Sequence, residues 1–150
     1  MSAKPIQSQR LQPIRHLAQN REDEAARRVA ESQQALARQE AQLQEMERYL
    51  QEYGAASSDA PVAPSLLANR EAFLRQLAEA LRWQAGAVEE ARGRLALARD
   101  LWTGKHRDTD VLQQLIARSQ RSELNEQERR LQREMDEFAQ RMRPASQRDA

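Results

Sequence analysis

The sequence predicts an all-α chain: an antiparallel two-helix coiled-coil hairpin in which a long C-terminal helix overhangs a shorter N-terminal one. Three observations predict it. Leu74, Leu81, Val88, Leu95 and Trp102 follow one another at intervals of seven, and Leu77, Ala91 and Ala98 form a weaker companion seam broken by Gln84. Val29, Leu36, Leu43 and Leu50 form a second ladder of sevens earlier in the chain. Between the ladders lies one breaker-rich stretch, from Gly54 to Pro64. Apolar residues recurring every 3.5 positions on average keep one stripe of a helix facing a partner helix, and a breaker between two such stripes lets the chain fold back on itself.

The elements follow in order. Residues 1–12 are polar and read as a flexible N-terminus. Pro13 suits the first turn of a helix, where its missing N–H is harmless, so the first helix is expected over 13–53. Ala18, Ala25, Ser32, Gln39, Met46 and Tyr53 form the companion seam of its ladder. Gly54 can end that helix by taking a positive φ. Pro61 and Pro64 disfavour helix in the residues before them, and Ser65 is a fitting N-cap, which makes 54–64 the loop. From 65 to 143 the only breakers are Gly86, Gly93 and Gly104, each costing about 1 kcal/mol relative to Ala, too little to end a helix of roughly 120 Å. Pro144 ends it, and 144–150 read as a flexible tail.

Folding back at the loop pairs Leu50 with Leu67, Leu43 with Leu74, Leu36 with Leu81 and Val29 with Val88, to within about one turn. On that register everything after about Lys105 overhangs without a partner in the chain. The overhang still carries Leu112, Leu115, Ile116, Leu124, Leu131, Met135, Phe138 and Met142, and its sevens at Leu124, Leu131 and Phe138 stand one residue out of step with Trp102 and Ile116. A shift of phase relaxes a supercoil locally. An unpaired apolar stripe calls for a cover, either a second copy of the chain or another protein.

Composition supports long helices over a thick core: aromatics are 4% of 150 residues, charged residues 31%, and mean hydropathy is −0.93. The net charge of +1 comes from 24 basic and 23 acidic side chains with signs interspersed, as where Glu22, Asp23 and Glu24 meet Arg27 and Arg28. A nucleic-acid binder would show a basic face or block, so no nucleic-acid partner is expected. Without cysteine there is no disulfide or thiolate chemistry, which fits a reducing compartment. No apolar run approaches a membrane span, and the N-terminus has no signal-type apolar core.

No catalytic, cofactor-binding or metal site is legible. His16 and His106 make no ligand pair at helical spacing. Gly104-Lys105 resembles the end of a phosphate-binding loop, but Arg99 stands where its first glycine belongs and His106 where Ser or Thr belongs. A thin hairpin offers no water-excluded pocket, so the chain is expected not to be an enzyme. One surface does stand out. Gln42, Met46, Tyr49 and Tyr53 are spaced four, three and four, and Phe73, Leu77, Ala80 and Gln84 repeat that spacing on the other helix. The two sets fall at one height, and Tyr and Met are favoured at protein interfaces. Met46, Tyr53 and Leu77 serve equally well as seam residues, whereas Tyr49 and Gln84 are harder to place in a core.

Glu24-Ala25-Ala26-Arg27, the Tyr49 and Tyr53 pair, Asn69-Arg70 with Phe73, and above all Met135-Asp136-Glu137-Phe138-Ala139-Gln140-Arg141 resemble the FliJ family over nearly the whole chain. These are coiled-coil proteins of the flagellar type III export apparatus, similar to the central stalk of rotary ATP synthases. The resemblance implies a non-enzymatic stalk, cytoplasmic and peripheral at the inner membrane of the flagellar base. Its tail (Leu124, Leu131, Met135, Phe138 and Arg141) would bind the hexameric export ATPase FliI. Its hairpin end would bind the export gate FlhA through Gln42, Met46, Tyr49, Tyr53, Phe73, Leu77, Ala80 and Gln84, although the family can carry His at the last position. Escort of export chaperones is a further implied role. The equivalent stalk of a virulence secretion system and a homodimeric structural scaffold stand as alternatives.

Overall fold

The computed structural model describes residues 6–55 and 63–144, and within them the chain is two long helices, α1 (Gln7–Ala55) and α2 (Pro64–Arg141), packed as a helical hairpin. Residues 1–5, 56–62 and 145–150, which hold most of the expected loop and both chain ends, lie outside the described residues. The chain divides into two compact units, one formed by residues 22–105 and the other joining 1–21 to 106–150.

In the unit 22–105 the buried core is Val88, Ala91, Leu95 and Ala98 on α2. Facing them on α1, Val29, Leu36, Leu43 and Leu50 with Ala25, Ser32, Gln39 and Met46 are half-buried. These alternate at spacings of three and four, the heptad seam of a coiled coil. The register differs from the one the leucine ladders predict. Gln84 Nε2 donates to the main-chain carbonyl of Gln39 (3.0 Å) and to its Oε1 (2.7 Å), while the rings of Tyr53 and Phe73 lie 4.8 Å apart. With Gln39 level with Gln84, Leu43 rather than Leu36 comes to the height of Leu81, and Leu36 to that of Val88. A slide of seven residues keeps every ladder position facing inward, so leucine spacing alone cannot choose between the two registers. The polar seam residues can: the predicted register sets Gln39 against Leu77, the observed one joins it to Gln84. A polar pair at a seam position specifies register in this way.

The element ends differ as well. Gly54 remains helical and no described residue has a positive φ, so α1 does not end on a left-handed glycine. α2 begins on Pro64, with the N–H of Leu67 bonded to the carbonyl of Ala63 (3.1 Å). Pro64 thus takes the first helical position, where its fixed φ suits the turn, and Ser65 sits inside the helix instead of capping it.

In the other unit α1 starts at Gln7, so residues 7–12 are helical instead of flexible and Pro13 is interior to the helix. Ser8 is buried; Glu123 Oε1 accepts its N–H (3.1 Å) and Glu123 Oε2 accepts its hydroxyl (2.8 Å). A carboxylate that takes up an otherwise unsatisfied first-turn N–H explains a helix start ahead of the proline. Residues 106–123 are therefore not an unpaired overhang: Thr109 and Ile116 are buried, and Leu112, Ala117, Ser119 and Glu123 are half-buried. Only from Leu124 onward is every described residue exposed.

Candidate functional site

Two exposed apolar surfaces answer to the two faces read from the sequence. The first lies near the loop end of unit 22–105. Tyr49 and Tyr53, one turn apart on α1, stack with centroids 6.2 Å apart and planes inclined by 19°. Phe73 of α2 meets Tyr49 edge-on at 6.4 Å and tilts against Tyr53 at 4.8 Å. Such offset and tilted pairs suit the aromatic quadrupole. Tyr49 is 50% exposed, so one side of this cluster is packed and the other faces out. Met46 and Leu77 are half-buried in the seam and Ala80 beside it, and Gln42 is exposed. Gln84 is the exception: its amide turns into the seam on to Gln39, which accounts for it as a core residue.

The hairpin in this unit has two unlike sides. Tyr49 and Phe73 each precede a seam residue by one position, and their contact shows that such positions on both helices share a side. Exposed Trp83, Leu97 and Leu101 precede Gln84, Ala98 and Trp102 and so extend that side along α2. The opposite side, one position after each seam residue, carries the Arg92–Glu40 bridge (3.6 Å) and, among the described residues of this unit, no large exposed apolar side chain. Trp83, Leu97 and Leu101 lie off the two heptad seams; an apolar residue one place before a seam position is the signal that finds them.

The second surface is the C-terminal stretch of α2. Leu124, Leu131, Met135, Phe138 and Met142 are 58–71% exposed, and Arg141 is exposed in the last turn. They recur at sevens and at three-four spacing, so they share one stripe, interrupted by Glu128. The stripe is one residue out of phase with Ile116 and Glu123, as the sequence predicts, and so leaves the seam that the first turns of α1 cover.

Among the described residues no three His, Cys, Asp or Glu side chains are grouped to hold a metal, and no helix is long and apolar enough to cross a membrane. What the geometry offers is exposed apolar surface. The family model for the flagellar FliJ protein matches residues 7–148. The chain belongs to the FliJ family. Membership carries with it a place among the structural components of the flagellar export apparatus. No curated protein matches the chain.

Proposed function

We propose that this FliJ-family protein is a non-enzymatic stalk that links the hexameric export ATPase FliI to the membrane export gate FlhA, held at the cytoplasmic face of the inner membrane through these partners. The single observation that carries the reading is the open stripe Leu124, Leu131, Met135, Phe138 and Met142 on a helix that continues beyond its own hairpin partner. A contiguous exposed apolar stripe of this kind marks an interaction site. The tail is assigned to the ATPase, with Arg141 at its end. The cluster of Tyr49, Tyr53 and Phe73, with Gln42, Met46, Leu77 and Ala80 around it, is assigned to the gate; the Gln84 side chain supports that face from the seam. Export chaperones are a further class of partner for the same protein.

The test is capture of purified export ATPase by the full chain and by a Leu131→Asp/Phe138→Asp variant. The variant should keep the parent's helicity and melting curve and lose capture. Equal capture by both proteins rejects the tail assignment. A parent that runs as a stable dimer through this stripe, and that the same substitutions make monomeric, returns the reading to a homodimeric scaffold.

A further inference from the structure

We propose that residues 7–21 form a strap: the first turns of α1 detach from α2 and re-close as a local unit, latched by Ser8 and Glu123. The strap covers more than it contributes. Beneath it Ile116 is 5% and Thr109 3% exposed, with Leu112 half-buried beside them. The residues it keeps from solvent are Ser8, Leu11, Arg15, Ala18 and Gln19, of which only Leu11 is a large apolar side chain. Ile14 and Leu17 point outward, 52% and 50% exposed. The groove on one flank is lined by Gln9, Gln12, Gln120 and Gln127 together with Leu124 and the Ser8–Glu123 contact. Little apolar burial therefore holds this segment, and segments so held open locally.

Pro13 weakens it further. A proline seven positions into a helix removes the N–H that would bond the Gln9 carbonyl and crowds the preceding turn. The bidentate contact of Glu123 with the Ser8 N–H and hydroxyl is a charge-assisted bond between strap and α2, and it lies at the strap's free end. Losing it frees the end from which a helix frays. Once the strap lifts, Leu112 and Ile116 join Leu124 and Leu131 in one longer apolar run with a single change of phase. That consequence for the ATPase rests on the tail's proposed role; the strap itself does not.

Hydrogen exchange on the full chain, with no partner present, tests the strap alone. Amides of residues 12 and 14–20 should exchange faster than those of residues 35–50 by about tenfold or more. Glu123→Ala should accelerate the strap amides by a further factor of about ten, the scale of a lost charge-assisted bond, and leave residues 35–50 unchanged. Glu123→Gln, which keeps the shape and one acceptor, should fall between. Equal protection of the two segments in the parent, or equal acceleration of both by Glu123→Ala, overturns the proposal.

Discussion

One helix, α2, carries the same kind of stripe twice with opposite fates. Between Val88 and Ala98 the heptad positions are at most 8% exposed; between Leu124 and Met142 the apolar ones are 58–71% exposed. The buried stretch alternates Val88 and Leu95 with the small Ala91 and Ala98, which let two helices come close. The open stretch has no alanine in its stripe and adds Phe138 and the flexible Met135 and Met142 to Leu124 and Leu131, side chains suited to filling holes in a surface the chain does not itself provide. Heptad spacing says that a helix needs a partner. The size of the side chains and the presence of a facing seam say where that partner is.

Substitutions can break the comparison. The largest effect should come from Leu95→Ala, which removes the largest buried side chain of the seam and should cost about 2–4 kcal/mol in chemical denaturation. An unchanged midpoint would mean that the seam does not hold the hairpin. Next comes Gln84→Leu, which strands the Gln39 amide and should cost about 1–3 kcal/mol, whereas Gln39→Leu/Gln84→Leu should recover most of that while admitting other registers or oligomers. Spin-label distances between the helices would reveal the mixture; a double variant that keeps one register shows that something else sets it. Pro13→Ala should act in the opposite direction and stabilise the segment 7–21 by about 1–2 kcal/mol, the helical cost of proline less its benefit in the unfolded chain. Smallest in stability is Tyr49→Ala. Its half-exposed ring should change melting by about 0.5 kcal/mol or less while weakening gate binding by about 2 kcal/mol. A strain with that substitution that swims normally and binds the gate as the parent does would remove the aromatic cluster from the account.

Helix content, the hairpin and the phase shift at Leu124 were all legible in the sequence, because three-four spacing and the Gly54–Pro64 stretch are local signals. Register was not, since a seven-residue slide leaves every leucine facing inward and the information sits in the Gln39–Gln84 pair, of which Gln84 alone stands out in the sequence, as a break in its seam. The start of α1 was not legible either. Its seam positions there are Ser8, Leu11 and Arg15, and their counterparts on α2 include Thr109, Ser119 and Glu123, so the heptad continues in polar residues that a search for apolar ones passes over. Pro13, read as a first-turn residue, reinforced that error. The aromatic face was readable from the four-three-four spacing; that Gln84 belongs to the seam needed the hydrogen bonds.

The most direct measurement is the effect of a chain ending at Glu123 on the activity and ring assembly of purified export ATPase, alongside the full-length protein. The shortened chain keeps both seams and the Ser8 contact, so it should melt as the parent does and fail to promote ring assembly or stimulate hydrolysis. Undiminished stimulation by the shortened chain would contradict the assignment of the open stripe to the ATPase.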